Sequence, residues 1–203
     1  IRFGYYRYET QVMIVTVVVA LLAGLAFRRK FAGATALFYL AVASLVVPSI
    51  IVSLGIGVVF QQFGFEPSWY TSAFGAHLTW TLPFGVLIMF AVFNRFSPAY
   101  EEAARDLGAS SWQTFSNVVL PMIAPSLIGV GLFGFTLSYD EFARTLMTAG
   151  SFNTLPLEIY GMTTNVTTPV LYALGTVTTV FSFLVIAGTL GLIVHLNRRR
   201  AKS

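Results

Sequence analysis

The sequence predicts an all-α integral membrane protein, and three observations carry that prediction. Hydrophobic residues make up 56% of the 203 and charged residues only 10%, with a mean hydropathy of +0.77. That balance excludes an ordinary soluble domain and a disordered chain. Apolar runs repeatedly approach the roughly 20 residues that a helix needs to cross a bilayer, and they are too uniformly apolar for barrel strands. The long polar segment 97–121 is itself patterned at helical spacing. The net charge of +4 is small, so where the charges sit matters more than their sum. Cysteine is absent, which removes disulfides and thiolate metal sites.

Five spans are expected, at 12–27, 34–60, 72–93, 123–142 and 171–196. Residues 1–11 are polar and aromatic, with neither an initiating Met nor a signal-peptide pattern, which points to a start inside a longer protein. The first span ends in Arg28-Arg29-Lys30, a cluster that short loops keep on the cytoplasmic side. The second contains Pro48, with Gly55 and Gly57 near its far end; such breakers are tolerated where neighbours or a cavity re-satisfy the backbone. Residues 61–71 read as a short outer loop with Trp69 and Tyr70 in an interfacial belt. The third span carries His77, Trp80 and Pro83. Residues 143–170 read as an outer segment, with a short re-entrant or interfacial helix around residues 155–162.

These spans sort the charges. Arg28, Arg29, Lys30, Arg95, Arg105, Arg198, Arg199, Arg200 and Lys202 fall inside, whereas only Arg2, Arg7 and Arg144 fall outside. The C-terminus is then cytoplasmic and residue 1 lies outside.

Segment 97–121 reads as helix, sharp turn, helix. Ser97 is a favoured N-cap and Pro98 a favoured first helical residue. Tyr100, Ala103, Ala104 and Leu107 share one face, while Glu101 and Arg105 form an i, i+4 pair on another. Gly108 ends the helix, and Ser110 with Gln113 forms a capping box for a second helix that runs through Val119. Glu102 and Asp106 are like charges one turn apart, a cost of about 0.2–0.5 kcal/mol that a basic partner would remove. Ala103 and Ala104 keep the helix thin enough for a groove on another protein. A solvated amphipathic loop is the plainer alternative.

Glu102-Ala103-Ala104, then Gly108, Val118 and Leu120-Pro121 resemble, at matching spacing, the EAA loop of permease subunits of bacterial type I ABC importers. Val118 stands where that family usually has Ile. The resemblance implies a single transmembrane domain over 1–203, a further span upstream of Ile1, and a coupling helix for a separate ATPase. The docking residues it implies are Tyr100, Glu101, Glu102, Ala103, Ala104, Arg105, Leu107 and Gly108. It also implies partners: a dimer of ATP-binding cassette ATPases, a second permease subunit, and a periplasmic or extracellular substrate-binding protein. A heterodimeric permease is expected, with a homodimer second, closed through faces bearing Gly24, Gly55, Gly57, Gly129, Gly131, Gly188 and Gly191. The implied location is the bacterial inner membrane, with lipid around a multi-pass chain. No cofactor is expected in this chain, since it lacks a phosphate-binding G-x-x-x-x-G-K-[ST] loop; ATP and Mg belong to the ATPase.

Other motifs are weaker. Gly129, Gly131 and Gly134 match the dinucleotide fingerprint but follow no strand, so close helix packing is the better reading. Asn165-Val166-Thr167 is a glycosylation acceptor in form only. His77 and His195 have no second ligand at metal spacing and no serine nucleophile motif occurs, which makes a membrane protease a poor reading; a passive channel and a membrane-embedded enzyme are the competing classes. His77 lies inside a span, where a polar group is costly and is read either as a packing group or as part of a pathway.

Tyr139-Asp140-Glu141 closes the fourth span; counted from Ser126 at roughly 1.5 Å per residue, Asp140 and Glu141 lie about 20 Å or a little more from the inner end, near the outer mouth. Two readings stand: an ion pair with Arg144 or an exposed helix end, against a cation-attracting gate. Ser138 to Glu141, Thr148-Ala149-Gly150, residues 154–157 and Ile159-Tyr160 resemble the outer region of spermidine/putrescine-type second permease subunits. The resemblance implies a polyamine or related small cation as cargo; since carboxylates and aromatic faces hold such cations, Asp140, Glu141, Tyr139 and Trp80 are candidate pathway residues, with the intramembrane His77. Glu158, Tyr160 and Trp69 extend that inventory. An amino-acid derivative, an opine or ferric iron is the alternative cargo.

Overall fold

The structure, a computed structural model, describes residues 5–29, 31–165 and 169–200. Every regular element among them is helical, and four helical segments are long and apolar enough to cross a membrane, or five if one bent pair counts as a single span. The chain divides into two compact units, Ile1–Thr154 and Leu155–Ser203.

In the first unit α1 (Tyr5–Phe27), α4 (Phe74–Asn94) and α7 (Leu120–Tyr139) pack on one another. Ala20, Met89, Phe93, Val119, Ile123 and Val130 form the core they share. Small residues allow the approach: a Cβ on Gly85 would meet Ala20, Thr16 and Val130, and one on Gly131 would meet Val17 and Met13. Inside the stack the Thr16 and Thr81 hydroxyls are hydrogen-bonded at 2.8 Å, joining α1 to α4 where neither group could reach water.

The second expected span is two helices. α2 (Ala34–Val46) and α3 (Ser49–Gln62) meet at 102° across Val47-Pro48. Proline supplies no N–H and disfavours helical geometry in the residue before it, and Val47 is extended. The glycines expected to face a second subunit divide into two sets. Gly24, Gly57 and Gly131 are used against Phe93, Met147 and Val17 of the same chain, whereas Gly55, Gly129, Gly188 and Gly191 face open space.

The third span begins early, with a π turn over Trp69–Ala73 that runs into α4. The loop region folds as α5 (Ala99–Asp106) and α6 (Ser111–Thr114), followed by a π turn over Phe115–Val119. α6, that turn and α7 form one helical segment, Ser111–Tyr139, so the second loop helix and the fourth span are continuous. The widened turn precedes Pro121, which has no N–H to offer the Asn117 carbonyl four residues back.

The second unit holds α8 (Leu155–Asn165) and α9 (Pro169–Arg200). α8 covers the short helix expected around residues 155–162. Arg2, Lys30 and Lys202 of the charge pattern lie outside the described residues, as do Val166 and Thr167 of the acceptor motif.

Candidate functional site

Two groups of expected site residues gather at different places in the first unit. The first is α5. Pro98 already has helical angles, and Ser97 provides no side-chain cap, contrary to expectation. The C-terminus follows the sequence closely. Gly108 is left-handed, at φ 87°, its N–H bonds the Arg105 carbonyl at 2.8 Å, and the Ala109 N–H bonds the Ala104 carbonyl at 3.0 Å. This is a Schellman closure, and glycine adopts its left-handed angle without steric cost. Ser110 and Gln113 then form both bonds of the capping box, at 3.3 and 2.8 Å.

α5 has two distinct sides. Tyr100 and Leu107 are 52% and 91% exposed, and Glu102, Ala103 and Asp106 are exposed with them. Glu101 turns inward to Arg28, whose Nη1 and Nη2 donate to its two carboxylate oxygens at 2.9 and 2.6 Å. The expected Glu101–Arg105 pair is replaced by this one. A parallel fork between planar groups outcompetes a single-turn contact between flexible ones. The Arg28 guanidinium also lies 5.3 Å from each of the Phe93 and Phe96 ring centroids. Its hydrogen bonds hold the Glu101 carboxyl below its ordinary value, and the same bonds raise Arg28.

The second group is a buried polar cluster where α4 and α7 meet the turns of residues 140–153. His77 is fully buried. Its Nδ1 lies 2.8 Å from Ser138 Oγ and its Nε2 lies 2.9 Å from Thr145 Oγ1. The Thr145 hydroxyl spends its hydrogen on the Glu141 carbonyl, so it can only accept from the ring. That assigns the proton to Nε2 and leaves Nδ1 to accept from Ser138. The packing reading of His77 is therefore the one its contacts support.

Arg144, expected in an outer loop, is fully buried. Its guanidinium lies 4.7 Å from the Trp80 ring centroid and Nη1 donates to Thr79 Oγ1 at 3.2 Å. Nε and Nη2 have no hydrogen-bond partner among the described residues. The Glu141 carboxylate accepts from the Arg144 backbone N–H at 2.9 Å rather than from the guanidinium, so the expected side-chain ion pair is not formed. Ser53 Oγ donates to the Arg144 carbonyl and accepts from Met147 N–H, and Ser72 Oγ donates to the Thr148 carbonyl. These bonds stitch the turns to α3 and to the π turn that leads into α4.

The aromatic inventory changes accordingly. Trp80 is already covered by Arg144, and Trp69 is buried against His77 and Tyr8, at 5.0 Å from each ring, instead of forming a belt. Tyr139 is buried and stacked on Phe135 at 6.0 Å. Asp140 alone of the expected pathway group is exposed. Glu158 and Tyr160 lie in the second unit. Sequence reasoning passed over Glu9, which is buried in α1 with one carboxylate oxygen unpartnered; its polar, aromatic flank gave the appearance of an exposed end.

Spermidine/putrescine transport system permease protein PotC of Escherichia coli is 28% identical over 172 residues, covering 84% of this chain and 65% of that one. The chain thus spans just under two thirds of the length of such relatives. Sulfate transport system permease protein CysT of Escherichia coli is 32% identical over 143 residues, 64% of this chain and 51% of that one. In three dimensions the chain is similar to one in an inward-facing MetNI methionine ABC transporter, with a TM-score of 0.67 at 16% identity over 95% of this chain and 94% of that one. Residues 16–202 match the family described as binding-protein-dependent transport system inner membrane component. The chain belongs to that family, as a multi-pass inner-membrane component of a transport system.

Proposed function

We propose that this chain is the permease subunit of an ATP-driven importer and forms half of a translocation pathway with a second permease subunit. A separate ATPase dimer, which carries the ATP and Mg, docks on α5, and a substrate-binding protein delivers cargo to the opposite end. The observation that carries the reading is the outward side of α5. Tyr100 and Leu107 are large, apolar and exposed on a helix that Arg28 anchors from behind and Gly108 terminates. An exposed apolar patch on a rigid, charged helix fits a protein partner. Arg28, Arg29, Arg95 and Arg105 lie at this end, which favours a cytoplasmic placement.

The proposed cargo is a polyamine or related small cation, supported by the PotC relatives and by Asp140 and Glu141. A second reading, an oxyanion cargo, is favoured by the buried Arg144 and by the sulfate permease relative. The test is a reconstituted complex with its own binding protein. ATP hydrolysis should accelerate with loaded binding protein, and radiolabelled putrescine or spermidine should accumulate. Uptake that persists without ATP sinks the importer reading. ATP-dependent uptake of sulfate but not polyamine, or polyamine uptake untouched by Asp140→Asn with Glu141→Gln, sinks the cation reading alone.

A further inference from the structure

We infer that the cavity at the end of α1 binds an anionic phospholipid. It has a volume of about 960 Å³ and lies among the ends of α1 and α4 and the start of α5. Its floor is aromatic, with the Phe27 ring 5.7 Å from Phe31 and 5.9 Å from Phe90. Three guanidiniums, Arg28, Arg29 and Arg105, line it against one carboxylate, Glu101. Glu101 is committed to Arg28 through both oxygens. Arg29 and Arg105 are exposed and have no ion-pair partner among the described residues, so the cavity keeps two positive charges.

Such a lining selects its occupant. Guanidinium groups match phosphate oxygens in pairs, which accounts for the rim but not for the aromatic floor. A free anion uses only the rim. A phospholipid uses both, because the floor continues from the last turn of a helix apolar enough to cross the membrane, where acyl chains lie alongside. Basic pockets at the ends of membrane helices hold anionic headgroups by this combination. Arg29 follows α1 and Arg105 belongs to α5, so one headgroup held by both joins the two elements already linked by Arg28 and Glu101. The lipid would then reinforce the position of the helix proposed to meet the ATPase.

The test is native mass spectrometry of the purified protein titrated with phosphatidylglycerol or phosphatidylcholine of the same acyl chains. Phosphatidylglycerol should be retained preferentially, and Arg29→Gln and Arg105→Gln should each weaken retention about fivefold, with Arg29→Lys keeping most of it. Phe31→Asp, at an exposed position of the floor, should also weaken it. Equal retention of the two lipids, or no change in the Arg29→Gln, Arg105→Gln double variant or in Phe31→Asp, overturns the inference. Displacement by millimolar inorganic phosphate overturns it too, by making this a free-anion site. Neither cargo nor ATPase enters the readout, so it stands or fails apart from the transport reading.

Discussion

The Arg144 guanidinium sits 4.7 Å from the centre of the Trp80 ring, so the aromatic face beside the acidic end of α7 is occupied by a cation of the same chain. A desolvated contact of this kind contributes about 2 kcal/mol, while each unsatisfied buried donor, here Nε and Nη2, costs about 1–3 kcal/mol. These effects oppose each other in Arg144→Met, which should shift stability by less than about 1.5 kcal/mol. Trp80→Ala removes the ring and strands the charge, and should cost at least about 3 kcal/mol. Thermal unfolding in detergent checks the asymmetry. Equal losses in the two variants would contradict it.

His77→Leu removes the shared partner of Ser138 and Thr145. Thr145 still donates to the Glu141 carbonyl, so the larger loss falls on Ser138, at about 1–3 kcal/mol for a buried unsatisfied hydroxyl. Adding Ser138→Ala to His77→Leu should recover part of that loss. A double variant no more stable than His77→Leu argues against the hydrogen-bond assignment.

A Cβ on Gly108 meets nothing among the described residues, yet φ is 87°. Gly108→Val therefore carries only backbone strain within the isolated protein, about 1–2 kcal/mol. Gly108→Asn tolerates the left-handed angle and should leave thermal stability almost unchanged. If an ATPase closes over this turn, both variants should co-purify less of it, because both add bulk to the contact. Full ATPase retention by a stable Gly108→Asn protein counts against docking at this position.

The Arg28–Glu101 fork predicts both coupling and pH dependence. In a double-mutant cycle of Arg28→Gln and Glu101→Gln, the interaction should reach about 0.5–1 kcal/mol at neutral pH. Glu101 is held below its ordinary value, so the stability it contributes is present above the unfolded-state carboxylate value and is lost as pH falls through the lower folded one. The measured coupling should accordingly shrink across the acidic range below about pH 4. A coupling constant from pH 7 to pH 3 excludes the fork as its source.

Gly150 also has a left-handed φ, 64°, and a Cβ there would collide with the Pro67 carbonyl oxygen. Gly150→Ala should push residues 140–153 away from the π turn at Trp69. Faster proteolysis within these turns, with the three-helix core still folded, is the expected result; an unchanged digestion pattern speaks against close contact at Pro67.

The helical membrane class, α5 with its glycine stop, the capping box and α8 are legible from local signals, because each depends on residues within a few positions of one another. What the sequence hides depends on distance. Arg28 and Glu101 are separated by 73 positions, and Arg105, at ideal helical spacing, was the nearer candidate. Arg144 reads as a solvated loop cation because nothing local reveals the stack with Trp80 or the bonds from Ser53. Pro48 is legible as a helix breaker, whereas the 102° angle between α2 and α3 is seen only in the structure. Trp69 looked interfacial because its neighbours are polar, whereas its ring fills a space bounded by Tyr8 and His77.

The fork between Arg28 and Glu101 gives the short helix a mechanical standing that its length alone would not. α1 packs on both α4 and α7, and Arg28 is fixed at its end between the Phe93 and Phe96 rings. A push delivered to α5 therefore does not dissipate in a slack connector. It loads the end of the central rod, and a tilt of that rod must be answered by the two helices braced against it.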